Sequence, residues 1–76
     1  MNPRITIDPN IYHGKPVIKG TRVLVSLIFG ALAAGDSAED IIRDYPNITL
    51  EDIKAALEFG VKLTSYESIP YEYKAS

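Results

Sequence analysis

The sequence predicts a small, mainly α-helical domain, in which three helices form a helix-turn-helix arrangement behind a short β-rich N-terminal arm. Two observations support this prediction. Apolar residues recur at helical spacing from Leu24 onwards, whereas proline and glycine interrupt the short β-prone stretches before it. A chain of 76 residues allows one domain, 1–76. We divide it into an extended arm (1–23), a three-helix bundle (24–67) and an extended tail (68–76).

The N-terminal arm alternates extended segments with turns. Residues 5–7 are β-prone, and the Asp-Pro-Asn sequence at residues 8–10 predicts a turn. Prolines on both sides limit this piece to a short strand at a sheet edge. Residues 19–21 are predicted to make a tight connection between two very short extended pieces, 17–18 and 22–23. The arm is therefore expected to be extended and rich in turns.

The first helix is predicted over about residues 24–34, where five apolar side chains fall at i, i+3, i+4, i+7 and i+8. These side chains are Leu24, Leu27, Ile28, Ala31 and Leu32. Gly35 is expected to end the helix as a C-terminal cap. Because this helix carries no charged residue, we expect it to be buried on nearly every side. The core of so short a chain is small, so we expect at least a dimer.

The second helix is predicted to begin after Ser37, a favourable N-cap residue, and to end before Pro46. Its inward side chains are expected to be Ala38, Ile41, Ile42 and Tyr45. Glu39 and Arg43 stand four residues apart, a spacing that predicts an ion pair on the helix surface.

The third helix has the clearest start signal. Thr49 is the predicted N-cap, and Ile48 is expected to pack on Ile53 as a hydrophobic staple. Glu58 and Lys62 are expected to form an ion pair along the helix. The predicted buried stripe consists of Ile53, Ala56, Leu57, Gly60, Val61 and Thr64.

The charge distribution singles out the arm as a candidate binding surface. The formal net charge is −2, yet four cations precede residue 23 beside the single carboxylate of Asp8. These cations are Arg4, Lys15, Lys19 and Arg22. Arg22 is expected to pair with a carboxylate of the second or third helix and to hold the arm on the bundle. Lys15, Lys19 and Arg22, with Asn47 in the connection between the last two helices, are our candidates for binding a partner or a nucleic acid.

The residues offer little catalytic chemistry. There is no cysteine, and His13 is the one histidine, with no identifiable acid or base partner. The glycines of the arm lack the spacing of a phosphate-binding loop. We therefore expect a protein without enzymatic activity, cofactor or bound metal. The longest apolar run, residues 23–35, is about half the length of a membrane span, so a cytoplasmic protein is expected.

Two blocks of the sequence resemble a known family. Ile-Asp-Pro at 7–9 and Gly-Lys-Pro-Val-Ile-Lys-Gly-Thr-Arg-Val at 14–23 resemble the opening signature of a prokaryotic domain-of-unknown-function family, number four-three-three. Its second signature is matched by residues 35–42, 44–46 and 51–57. Lys19 stands where arginine is commoner in the family, and Leu24 where proline is frequent. The resemblance implies a homeodomain-like helical fold and antitoxin-like proteins that pair with small nuclease-like toxins of the PIN type.

These expectations combine into a functional hypothesis. The chain is expected to be a non-enzymatic, antitoxin-like protein that binds a PIN-like toxin and operator DNA. One alternative is a homo-oligomeric helix-turn-helix DNA-binding regulator without a toxin, and another is a structural protein-interaction module. Glu51 and Asp52 begin the third helix, where two carboxylates would repel phosphate. Any contact with DNA is therefore expected to come from the basic arm rather than from that helix.

Overall fold

A computed structural model describes residues 2–66 and contains three helices and two short strands. In chain order the elements are β1 (Ile5–Thr6), a 3-10 turn (Tyr12–Gly14), β2 (Val17–Ile18), α1 (Val25–Ala33), α2 (Ala38–Asp44) and α3 (Leu50–Tyr66). The predicted fold class, a mainly helical three-helix domain with a short β arm, is confirmed. The predicted extended tail, 68–76, lies outside the described residues. No helix within residues 2–66 is long and apolar enough to cross a membrane.

The arm forms a two-stranded antiparallel sheet. Ile5 of β1 lies opposite Ile18 of β2, and Thr6 lies opposite Val17. The pairing places Ile5, Val17 and Ile18 in the buried interior. Two short apolar strands therefore contribute side chains to the helical core, which a chain of this size needs in order to bury enough surface.

The predicted tight connection after β2 is confirmed. The backbone N–H and the hydroxyl of Thr21 both donate to the carbonyl oxygen of Ile18, at 3.0 and 2.7 Å. The same hydroxyl accepts from the backbone N–H of Val23 at 3.0 Å. Gly20 has a φ of +80°, which a residue without a Cβ adopts at no steric cost. A threonine side chain thus satisfies the backbone groups that the turn would otherwise leave unpaired.

The predicted end of α1 and the predicted start of α2 are confirmed. Gly35 follows α1 with a φ of +100°, and its N–H donates to Leu32 O while the next N–H donates to Ala31 O. This pair of bonds is a Schellman motif. Ser37 caps α2: its hydroxyl accepts from the N–H of Asp40 at 3.1 Å, and the Asp40 carboxylate accepts from the N–H of Ser37 at 2.9 Å.

The hydrophobic core draws on both strands and all three helices. Its members are Ile5, Ile18, Val23, Val25, Ile28, Ile41, Ile48, Ile53, Ala55 and Ala56. Both residues of the predicted staple, Ile48 and Ile53, are buried in this cluster, and the side chains that were predicted to face inward from α2 are buried or packed against it. The core therefore lies between the three helices and the inner face of the arm.

The expected burial of α1 on nearly every side is wrong for the single chain. Val25 and Ile28 are the buried residues of α1, whereas Ser26, Gly30 and Ala34 line an exposed face. Val25 was not part of the predicted apolar stripe. A layer of two other helices and a short arm covers one side of α1, and no other element within residues 2–66 covers the opposite side.

The predicted stripe of α3 is only partly correct. Ile53 and Ala56 are buried, but Leu57 and Val61 are 45% and 63% exposed. Asp52 and Ala55 are buried instead. The physical reason is that β1 packs against α3 and covers a side of the helix that the periodicity assigned to solvent.

The predicted ion pairs along the helices also differ from those observed. Arg43 pairs with Asp40, three residues before it, and not with Glu39. Glu58 is not paired with Lys62 in the described part of the chain; its Oε1 accepts a hydrogen bond from Asn2 Nδ2 at 2.9 Å. In both cases another group lies closer than the expected partner: the Asp40 carboxylate for Arg43, and the Asn2 amide for Glu58. The Glu58 bond fastens the start of the chain to α3.

Candidate functional site

The start of α3 is organised by one buried carboxylate. Asp52 is 8% exposed, and its Oδ2 accepts from the backbone N–H of Thr49 at 2.9 Å. The Thr49 hydroxyl accepts from the backbone N–H of Asp52 at 3.2 Å, which completes a capping box and confirms Thr49 as the N-cap. The other oxygen of Asp52 accepts from Arg4 Nη1 at 2.9 Å. Asp52 is therefore committed to the fold and is not free to contact a ligand.

This ion pair corrects the expectation for Arg22. Within residues 2–66, Arg22 is exposed and forms no ion pair, and Arg4 is the cation that joins the arm to the third helix. The predicted link between arm and bundle exists, but a different arginine forms it. The pairing of β1 with β2 sets this choice, because it brings the first strand rather than the later turn against α3.

The outward face of α3 combines apolar side chains with charges of both signs. Leu50, Lys54, Leu57 and Val61 recur at i, i+4, i+7 and i+11, and all four are exposed. Glu51 and Glu58 are exposed on the same helix. A DNA-reading helix presents cations and hydrogen-bond donors to phosphates and base edges. This face instead has the character of a surface that meets another protein.

A groove of about 860 Å³ runs between the N-terminal segment and the second half of α3. Its lining residues are Asn2, Pro3, Leu57, Glu58, Phe59, Val61, Lys62 and Leu63. Leu63 is 59% exposed although it follows the core-facing side of the helix, because α3 extends further than the elements packed against it. We call this feature the α3 groove. Its walls are mainly apolar, with one carboxylate and one ammonium group among the lining side chains.

The predicted binding residues of the arm are all exposed. Lys15 precedes β2, Lys19 follows it, and Arg22 lies just beyond the turn that begins there. Lys19 and Arg22 therefore share one end of the arm, while Lys15 lies about 13 Å away along the extended chain. Within residues 2–66, none of these three cations forms an ion pair. Asn47 is also exposed, but it belongs to the connection between α2 and α3.

The single histidine lies in a backbone of unusual conformation. Tyr12, His13 and Gly14 have φ values of +50°, +57° and +85° in succession. The side chains of Tyr12 and His13 are exposed. No group of three or more His, Asp or Glu residues within residues 2–66 is arranged to hold a metal ion. His13 thus occupies a strained turn at the surface, apart from the carboxylates of the helices.

Two features of the site escaped the sequence-based prediction. The first is the Arg4–Asp52 pair, whose partners are separated by 48 residues. The second is the α3 groove, formed by Pro3, Phe59 and Leu63. A signal for the groove was present: α3 carries apolar residues on more faces than a three-helix bundle can cover, which indicates surface left for another contact.

Comparison with known proteins assigns the chain to a family. The profile of a family described as "Protein of unknown function (DUF433)" matches residues 5–60. The chain belongs to this family. The resemblance seen in the two signature blocks is thereby confirmed, since the match includes all of both.

Two similar proteins differ in how much of their own length the chain covers. "Uncharacterized protein y4eO" of Sinorhizobium fredii is 38% identical over 52 residues, which are 68% of this chain and 24% of that protein. The crystal structure of a DUF433 member protein from Anabaena variabilis superposes with a TM-score of 0.76 at 25% identity. That match covers 83% of this chain and 62% of the other. The DUF433 fold is thus shared, while the chain spans about a quarter of the curated relative.

Proposed function

We propose that this DUF433 protein is a non-enzymatic, antitoxin-like protein that binds a small nuclease-like toxin of the PIN type. The α3 groove carries the proposal, because it is an exposed apolar concavity on a chain with little catalytic chemistry. The class of partner comes from the antitoxin-like character that the family resemblance implies. The place of binding comes from the groove.

The groove suits a segment of polypeptide. Leu63 and Val61 are 59% and 63% exposed on α3, so the groove offers two branched apolar side chains to a partner. Glu58 and Lys62 lie beside them, so a docking segment would find one acceptor and one donor next to an apolar surface. Apolar anchors with a few polar groups are the common pattern of helix-in-groove recognition. The hydrogen bond from Asn2 to Glu58 joins the N-terminal side of the groove to α3 in the unbound protein.

The helix that forms this groove is poorly suited to reading DNA. Its first turn presents Glu51 to solvent, and its outward stripe contains leucine and valine with a single lysine, Lys54, where a DNA-binding helix would carry several cations. A protein partner accounts for both features, because apolar side chains and carboxylates on one surface favour an apolar and basic partner surface.

Operator DNA is a second candidate ligand, and the basic arm is the observation that favours it. Lys15, Lys19 and Arg22 are exposed in the arm on either side of β2, and none forms an ion pair within residues 2–66. Cations with no internal partner are available to neutralise phosphates. Asn47 on the α2–α3 connection would be a further contact if DNA approached from that side. This binding would be separate from the α3 groove and would leave it free for a toxin.

Co-expression with a PIN-like nuclease chain tests the main proposal. The wild-type protein should co-purify with the toxin and suppress its nuclease activity. Leu63→Lys places a charge in the groove and should abolish both effects. Leu50→Lys is the matched control, since Leu50 is similarly exposed, at 52%, on the same helix and does not line the groove.

Circular dichroism should show that both variants retain the wild-type helix content, because each replaced side chain is exposed. Equal loss of toxin binding in Leu50→Lys and Leu63→Lys would show that the toxin contacts the whole exposed side of α3 and not the groove in particular. Full retention of binding by Leu63→Lys would refute the groove as the toxin site.

A further inference from the structure

The exposed side of α1 is free of charge along its whole length. Ser26, Gly30 and Ala33 are exposed on this helix, which contains no Asp, Glu, Lys or Arg. Gly30 has no atom within 4 Å of the position that its Cβ would occupy. This face therefore presents small and apolar side chains without a charge.

This face continues onto α3. The two helices touch at Phe29 and Gly60, where a Cβ on Gly60 would lie 2.8 Å from Cζ of the ring. Because each residue turns a helix by about 100°, Ala33 adjoins Phe29 on the solvent side of α1, and Leu57 adjoins Gly60 on the solvent side of α3. Both are exposed. The outward faces of α1 and α3 therefore meet in one surface across the Phe29–Gly60 contact.

We call this surface the seam surface and define it by Ser26, Gly30, Ala33, Leu57, Val61 and Thr64, all of which are exposed. Its α1 half is a shallow groove of small residues. Its α3 half is a ridge made by Leu57 and Val61, one helical turn apart. The hydroxyl of Thr64 donates to Gly60 O at 3.0 Å, so its polar group is already satisfied inside the helix.

The geometry points to the seam surface as the site where a second copy of this chain binds. Groove and ridge lie side by side on one molecule, so a twofold axis between them sets the ridge of each copy into the groove of the other. An isologous contact of this kind requires one self-complementary surface, and the ridges and grooves of helices are the elements that pack.

Charge supports a second copy over an unlike partner. Any charged residue near a twofold axis meets a like charge, and the seam surface has none. At its border on α3 stand Lys54 and Glu58, of opposite sign, which an antiparallel partner brings within reach of each other. This inference goes beyond toxin binding and does not depend on it. Leu57 and Val61 line both surfaces, but the α1 half of the seam surface lies outside the α3 groove, so Ala33→Lys tests the second copy alone.

Sedimentation equilibrium of the full-length chain over a concentration series tests the inference. The wild-type chain should be dimeric at micromolar concentration. Ala33→Lys should raise the dimer dissociation constant by about tenfold or more, because two charges must then be buried. Ala33 is exposed in the last turn of α1, where a cation favours the helix, so folding should be unaffected. Leu63→Lys, which alters the α3 groove and not the seam surface, should dimerise normally.

A mixture of two variants tests the contact itself. Ala33→Lys and Val61→Glu should each be monomeric alone and should form a heterodimer when mixed. One of the two symmetric contacts then joins lysine to glutamate, and the other keeps the wild-type pair. A wild-type chain of 8.4 kDa at every concentration would overturn the inference, as would an Ala33→Lys chain that dimerises like the wild type. Failure of the mixture to associate would equally overturn it, whatever the outcome of the toxin experiment.

Discussion

Arg4 and Asp52 are 48 residues apart in the sequence, and a hydrogen bond of 2.9 Å joins Nη1 of the arginine to Oδ1 of the aspartate. The arginine side chain is 50% exposed and the aspartate side chain 11%. The same carboxylate caps α3 through Thr49. One side chain therefore sets both where the third helix begins and where the N-terminal arm attaches.

The first prediction concerns the stability that this carboxylate provides. Thr49→Ala should lower the free energy of unfolding by about 1 kcal/mol through loss of the cap. Asp52→Ala should lower it by about 2 kcal/mol, since the cap and the ion pair are lost together. Arg4→Ala should cost less than about 1 kcal/mol, because half of the arginine is exposed to water. Urea denaturation measures all three.

Glu51→Ala is the control for these variants, since Glu51 is exposed in the same turn. It should change the free energy of unfolding by less than about 0.5 kcal/mol. An Asp52→Ala variant no less stable than the Glu51→Ala variant would show that the buried carboxylate does not fix the helix start.

The second prediction concerns the crossing of α1 and α3. Gly60→Ala gains about 1 kcal/mol of helix propensity but forces the new Cβ against the ring of Phe29. In the wild-type background we expect a net loss of about 1 kcal/mol in the free energy of unfolding. In a Phe29→Leu background, which lacks the obstructing ring atoms, the same change should stabilise by about 0.5–1 kcal/mol. A thermodynamic cycle of the four chains gives the coupling, and an additive result would contradict close contact at this crossing.

The third prediction concerns acid. The backbone N–H of Ser37, followed by the guanidinium of Arg43, holds the pKa of Asp40 below its ordinary value of 3.8. A carboxylate with a lowered folded-state pKa contributes stability above the unfolded value and loses it as pH falls through the folded value. The melting temperature of the wild type should therefore decrease as the pH is lowered below about 4. The decrease should be less steep in Asp40→Asn, which lacks this carboxylate.

Glu39→Gln is the informative comparison, because helical spacing alone would assign the partner of Arg43 to Glu39. The structure assigns it to Asp40. Glu39→Gln should keep the wild-type acid profile of the melting temperature. The reverse pattern, with Glu39→Gln flattening the profile and Asp40→Asn leaving it intact, would contradict the observed pair.

The fourth prediction concerns DNA. Lys15→Glu combined with Lys19→Glu should weaken binding of operator DNA and reduce the slope of log affinity against log salt by about 2. Lys54→Glu changes a cation of the third helix and should have a much smaller effect. Fluorescence anisotropy at several salt concentrations measures both. If the arm substitutions leave DNA binding unchanged and Lys54→Glu abolishes it, α3 and not the arm contacts the DNA.

The helix boundaries were predictable because their causes are local. Ser37 and Thr49 bond to backbone groups three residues away, and Gly35 adopts a conformation that few other residues tolerate. Such choices depend on a few neighbouring residues. The family signatures in the same segments then made the fold class secure.

The partners of charged side chains and the exposed faces were not predictable in the same way. Arg22 and Arg4 have the same chemistry, and which one reaches α3 depends on the pairing of β1 with β2. Leu57 and Val61 satisfy the helical period as well as Ile53 does, yet nothing within residues 2–66 covers them. Periodicity shows that a residue can face a core, and only the tertiary arrangement shows whether a core is present there.

The turn at Tyr12–Gly14 has a consequence of handedness. Three successive residues there adopt positive φ, the conformation of the mirror-image chain. A D-amino acid prefers the very region that an L-residue enters at a cost of about 1–2 kcal/mol. His13 is exposed, so its side chain can change hand without disturbing the core. In a chemically synthesised chain, D-histidine at position 13 would therefore relieve the strain, whereas D-residues within the right-handed helices would disrupt them.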